Sequence, residues 1–231
     1  MKLKNIFFIL GLSALAFGAQ SCMDNMDSQN FIVANATATV KPQADNSLLL
    51  QLNDSTTLKP KNITKNPFGD KKVRAILSID NEDLKTIVND QRTSEPKQYE
   101  VTLNYIDSIN TNKLSPNLFE NNIEKYGNAP LEIVKSFETS VEDGYLTIRF
   151  RTYWGMQPHY FYLVATDPAN PYKVTLFQNS NNDYSQMVQD GLVAFDLSSL
   201  PDTEGKSVTL TLAWQAFTGP KSAEFKYKTA R

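Results

Sequence analysis

Cysteine and histidine occur once each in the 231 residues, at Cys22 and His159. A single cysteine excludes an intrachain disulfide, and a single histidine excludes a metal site built on two or three imidazoles. Glycine is sparse, with nine residues, and it forms neither a Walker loop nor a dinucleotide-binding pattern. There is no Gly-x-Ser-x-Gly elbow, so a Ser-His-Asp arrangement would have only His159 and no strained turn to present its serine. Positive charge is not in excess: 23 basic residues stand against 25 acidic ones, a net of −2, and nothing here invites nucleic acid. The adjacent acids Glu142 and Asp143 sit in a turn sequence where solvated charge is expected. The chain therefore reads as a non-enzyme, with no cofactor and no metal.

What is present begins with "MKLKNIFFILGLSALAFGAQSC". Lys2 and Lys4 give a positive start, and Ile6 to Ala19 form an uncharged apolar core. That core is short of the roughly 20 residues a membrane span needs, and no later segment is apolar for long enough. It reads as a cleavable export signal. Cys22 follows it directly, and "AQSC" resembles a bacterial lipobox, although Ala19 stands where a leucine is favoured. In such signals the sulfur takes a diacylglycerol and the new amino terminus is acylated, and several acyl chains together give stable anchoring. The expected address is the cell envelope, as an outer-membrane lipoprotein held through Cys22. Asp24 and Asp27, in "MDNMDSQN" just after the cysteine, resemble a surface-export tag, and a solvated tether explains them equally well. Removal of Lys2 and Lys4 leaves 21 of the 23 basic residues against 25 acidic, a net of −4.

The remainder alternates short apolar runs with turn-rich spacers, the pattern of an all-β chain. "FIVANATATV" aligns Ile32, Ala34, Ala36, Ala38 and Val40 on one face. "SLLLQL" and "TTL" flank Asn53-Asp54, a hairpin turn. "KVRAILSI" alternates Val73, Ala75, Leu77 and Ile79, and "YEVTLNYIDSI" alternates Tyr99, Val101, Leu103 and Tyr105. Five strands in about 80 residues suit a small OB-like barrel. Between Thr111 and Pro130 the alternation stops. Ser115 and Pro116 can start a helix, Gly127 can end it, and Phe119, Ile123 and Tyr126 share a helical face. Seven further strands follow, with Asp143-Gly144 as a strong hairpin signal between the first two, and they suit a β-sandwich. The expected layout is a lipoprotein signal peptide over 1–21, a flexible tether over 22–30, an OB-like β domain over 31–110, a linker with a short helix over 111–129, and a seven-stranded β-sandwich over 130–231.

This order of parts resembles the NigD-like lipoproteins. The residues that carry the resemblance are "NSLLLQLNDSTTLKP", "VTLNYIDSI", "WGMQPHYFYLV" and "GLVAFDLSSL", four motifs in the family's order across nearly the whole mature chain. Ser55 and Lys59 depart from it, standing where a glycine and a tryptophan are common. The family takes its name from a bacteriocin gene cluster, so the resemblance implies an immunity or accessory role. The leading expectation is a non-catalytic envelope lipoprotein acting as an interaction module. The alternative is a surface glycan-binding lipoprotein that supports nutrient capture. The partner, protein or glycan, is not named by the sequence.

One stretch could carry a ligand. In "YWGMQPHYFYLV", Tyr153, Trp154, His159 and Tyr160 offer flat faces for a sugar or peptide. Strand alternation also aligns His159 with Phe161 and Leu163, which suits a structural histidine whose ring nitrogens bond loop backbone. Trp154, beside Gly155 and Pro158, is expected to be the exposed residue. "QNSNNDYSQ", Gln178 to Gln186, has the composition of a long loop.

Overall fold

The computed structural model describes residues 36–90 and 96–230. The export segment, Cys22, the tether, Ile32 and Ala34 lie outside them. Strand outweighs helix by 50% to 9%, which makes the fold all-β.

The first half is a curled sheet. Its strands are β1 (Ala36–Pro42), β2 (Leu48–Asn53), β3 (Thr56–Pro60) and β4 (Val73–Ile79), then helix α1 (Asn81–Asp90), then β5 (Lys97–Val101) and β6 (Leu103–Ser108). The strand order is β5-β3-β2-β1-β4-β6, with β3 and β5 parallel and β4 and β6 antiparallel. Only Thr102 separates β5 from β6, so the two edges are halves of one bent strand and the sheet closes on itself. This is the five-stranded, OB-like ring expected from the alternation. The Thr102 bend is held from α1, since Asp83 Oδ2 accepts the Thr102 amide at 2.7 Å and the Thr102 carbonyl accepts the Asp80 amide at 2.9 Å. Leu50, Leu58, Ala75, Leu77, Ile79, Val101 and Leu103 fill the interior. α1 was not anticipated. Its signals are Asp80, whose carboxylate accepts the Glu82 amide, and Leu84 and Ile87 one turn apart, with Ile87 buried in the barrel.

The second half is a two-sheet sandwich. One sheet orders β7 (Thr111–Lys113), β13 (Val188–Asp196), β10 (Tyr145–Tyr153) and β8 (Leu131–Ile133), with β9 (Ser140–Glu142) also pairing β10. The other orders β11 (Tyr160–Ala165), β12 (Lys173–Asn179), β14 (Val208–Ala216) and β15 (Gly219–Tyr227). Leu146, Ile148 and Phe150 pack between the sheets against Leu210, Leu212 and Trp214. The turn joining β9 and β10 is Asp143-Gly144, with φ of 48° and 80°, the left-handed pair a tight hairpin requires. The strand inventory is richer than seven. The edge beside β10 is broken into β8 and β9, and β7 comes from the 111–129 segment, pairing parallel to β13.

The rest of that segment is packed rather than free. A 3-10 turn at Phe119–Asn121 runs into helix α2 (Asn122–Tyr126), which Gly127 ends at φ 80°. A Cβ on Gly127 would meet the Gln178 carbonyl at 2.6 Å. The expected apolar stripe does not form. Tyr126 is buried against Tyr162 and Phe177, while Phe119 and Ile123 are exposed. The helical segment is too short to present one face, and its 3-10 start turns Phe119 out of line with Tyr126.

Barrel and sandwich meet across a buried charge. Arg74 of β4 is fully buried, and it donates from Nη2 to Thr37 at 3.0 Å, from Nη1 to Thr39 at 3.2 Å and from Nε to Thr147 of β10 at 3.1 Å. Burial lowers its pKa to about 10, opposed by the nearby Glu142 and Asp143 carboxylates. Asp143 is reached from the barrel by Lys41 at 3.1 Å and Lys72 at 3.9 Å. β1 is therefore buried on both faces, alanine and valine inward and Thr37 and Thr39 toward Arg74.

Candidate functional site: the far end of the sandwich

β10 runs from the barrel seam at Tyr145 and Thr147 to Tyr153 at the opposite end. Tyr153 there pairs with Val188, the first residue of β13. The same end holds the start of β11 at Tyr160, which pairs with Asn179 at the end of β12, and the β14–β15 turn. Two loops, 154–159 and 180–187, cap it.

Asp183 ties these loops together. Its Oδ2 accepts the amides of Gly155 at 2.7 Å and Gln157 at 3.2 Å, and its Oδ1 accepts the Ser185 amide at 2.9 Å. Those amide bonds, led by Ser185, hold its pKa below the usual carboxylate value. The fit at Gly155 is close. A Cβ there would lie 2.7 Å from Ser185 Cβ and 2.9 Å from Asp183 Oδ1, so only glycine fits without a shift of the loops.

His159 is the inner brace. Its ring is buried, with Nδ1 2.7 Å from Gln178 Nε2. Gln178 Nε2 also donates to Thr152 Oγ1, which donates in turn to the Pro130 carbonyl. With Nδ1 as acceptor, the proton belongs on Nε2, which faces Asp183 Oδ2 at 3.5 Å. That separation is an electrostatic contact without hydrogen-bond geometry, since Nε2 has no bonded partner among the described residues. Burial pushes the histidine pKa down, with Asp183 pulling the other way. The ring nitrogens thus face side chains and not loop backbone.

The four aromatic residues singled out by sequence divide into two pairs. Trp154 is not a free platform. Its ring stacks between His159 at 4.9 Å and Phe150 at 6.3 Å, and its Nε1 donates to the Gln157 carbonyl at 3.0 Å. The turn at Gly155 folds it back onto the sandwich core. Tyr153 and Tyr160 are exposed, and Tyr153 touches Phe217 of the β14–β15 turn at 4.8 Å. The structure adds residues that alternation could not rank: Met156 (98% exposed), Tyr184 (84%), Met187 and Val188. Two methionines and a tyrosine in polar loops were the available signal. Together they make an apolar rim on braced loops, facing away from the barrel.

The model of the NigD-like C-terminal beta sandwich domain matches residues 115–227. The match supports the motif resemblance over those residues. No curated protein matches the chain. Among solved structures, a protein described as toxin-related from Parabacteroides distasonis ATCC 8503 is 29% identical, with a TM-score of 0.66 over 84% of this chain and 92% of its own. A NigD-like immunity protein from Bacteroides caccae ATCC 43185 aligns at a TM-score of 0.57 and 14% identity, covering 86% of this chain and 99% of its own. A protein described as a lipoprotein from Bacteroides fragilis NCTC 9343 aligns at 0.53 and 14%, covering 85% and 98%. Their coverage includes the barrel as well as the sandwich, so the two-part fold is shared.

Proposed function

We propose that this chain is a non-catalytic lipoprotein of the outer membrane, displayed at the cell surface through a lipid on Cys22, and that the rim at the far end of its sandwich binds a protein partner in an accessory or immunity role. The rim carries the reading. Met156, Tyr184 and Met187, on loops that Asp183 and His159 hold in place, and Tyr153, Tyr160, Val188 and Phe217, at the neighbouring strand ends and turn, leave apolar surface exposed at one end. Tyrosine, phenylalanine and methionine are the residue types enriched in protein interfaces, and clustered exposed apolar surface marks interaction sites. The only histidine is spent on bracing loops, which leaves this site without an evident acid–base group. The immunity role rests on the name of a similar fold, and the lipid anchor on the lipobox-like "AQSC".

The first test is metabolic labelling with a fatty-acid probe. Cys22→Ser should lose the label, and a labelled serine variant would overturn the anchor. The second is capture from envelope extracts with the soluble chain beginning after Cys22, beside a glycan array. Specific capture that Met156→Ser with Tyr184→Ser abolishes supports the protein-binding rim. Array binding lost in Tyr153→Ala or Tyr160→Ala would move the site to glycans instead.

A further inference from the structure

A second opening lies along the side of the sandwich. The cleft, of about 720 Å³, is lined on one side by Ile133 of β8 with Ser136 and Thr139 of the β8–β9 loop, and on the other by Trp214 of β14 and residues 221–225 of β15. Lys221 and Glu132 bridge the two sheets, with Nζ at 2.9 and 3.1 Å from the carboxylate oxygens. Five consecutive residues of β15 line it. Successive side chains of a strand point to opposite faces, so a wall of consecutive residues is the strand's edge and not one of its faces. β15 is the last strand of its sheet, and no strand pairs its outer side among the described residues. Half the backbone amides and carbonyls of such an edge lack partners. Pro220 and Lys226 flank the open stretch, and Lys221, the usual kind of guard for an edge, is turned inward onto Glu132.

The cleft also contains unsatisfied polar groups. Trp214 is 7% exposed, and its Nε1 is buried without an acceptor among the described residues. Ser136 Oγ, in the opposite wall, is likewise buried without a partner. Buried donors left unpaired are costly, and an occupant with acceptor groups would relieve both.

We infer that this cleft binds an extended peptide segment, which adds as a strand to the outer edge of β15 and inserts a side chain with an apolar body and an acceptor atom over Trp214. Main-chain bonds to β15 would supply affinity, and the pocket between the sheets would supply selection. The cleft shares no lining residue with the rim, and the inference stands or falls independently of the rim's partner.

The test uses the mature lipidated chain in detergent micelles and random dodecapeptides displayed on phage. Enriched peptides, resynthesised, should slow amide exchange in residues 219–227 at least tenfold and leave 153–160 and 184–188 unchanged. N-methylation of alternate peptide amides should abolish binding in one register and spare it in the other, the mark of strand pairing. Trp214→Phe, which keeps an aromatic ring and removes the donor, should weaken binding about tenfold. Failure to enrich any peptide, protection confined to the rim, or equal tolerance of both methylation registers would overturn the inference.

Discussion

At the end of the sandwich that meets the barrel, polar groups are buried: Arg74 lies among three threonine hydroxyls, with Glu142 and Asp143 near it. At the other end apolar groups are exposed: Met156, Tyr184 and Met187 stand in solvent on loops braced by Asp183, and Tyr160 is exposed at the start of β11. β10 joins the two, its nine residues spanning about 27 Å. The difference separates two tasks. A buried guanidinium satisfied from both β1 and β10 makes the relative position of barrel and sandwich specific, because any slip strands a charge. An exposed apolar rim contributes little to folding, and it is the surface proposed above to meet a partner.

Several substitutions would break or sharpen that contrast. Arg74→Ala should have the largest effect, about 3–5 kcal/mol of stability by urea denaturation, since it opens a cavity, orphans three hydroxyls and leaves Glu142 without its counter-charge. A loss below about 1 kcal/mol would mean that the seam is not held by this residue. Trp154→Ala, near the rim but stacked on Phe150 and His159, should cost about 2 kcal/mol. An unchanged melting temperature would restore Trp154 as a surface platform.

His159→Ala should cost about 1–3 kcal/mol by orphaning Gln178, and it should also change the response to acid. Burial holds the folded histidine below its usual 6.5, so as pH falls the unfolded chain takes the proton first. The contribution of the neutral ring is complete above about pH 6.5 and is lost as pH drops toward the lowered value. Urea midpoints at pH 7.5 and 5.5 should therefore converge in the alanine variant relative to the parent. Asp183 acts in a lower window. Its depressed pKa gives stability that is present above about pH 4 and lost as pH falls through the folded value. Met156→Ser or Tyr184→Ser should have the smallest effect on folding, within about 0.5 kcal/mol, while weakening partner capture.

Much of the scaffold could be read from alternation and turn chemistry. Val73 to Ile79, Tyr145 to Tyr153 and Val208 to Trp214 are strands because their apolar residues recur every second position. Asp143-Gly144 is a turn for the reason its backbone requires, whereas the first hairpin turns one residue later than expected, at Asp54-Ser55, with Asn53 still paired to Thr56 at the end of β2. The seam was not legible. Arg74 sits at a polar position of an alternating strand, which normally faces water, and its burial depends on Thr37, Thr39 and Thr147 meeting only in the folded chain. The rim was half legible for the same reason. Tyr153 and Tyr160 were flagged as aromatic residues, but whether a ring stacks inward like Trp154 or stays out like Tyr160 is decided by loop closure at Asp183. The short helix misled because period alone put Phe119, Ile123 and Tyr126 on one face, which five helical residues cannot provide.

Site-specific photo-crosslinking in whole cells tests the division of tasks most directly. A benzophenone amino acid is placed at Met156 on the rim or at Lys85 on the exposed side of α1 in the barrel, and adducts are compared after irradiation. The account predicts a discrete adduct from position 156 and none from position 85. Adducts from position 85 with none from position 156 would contradict it.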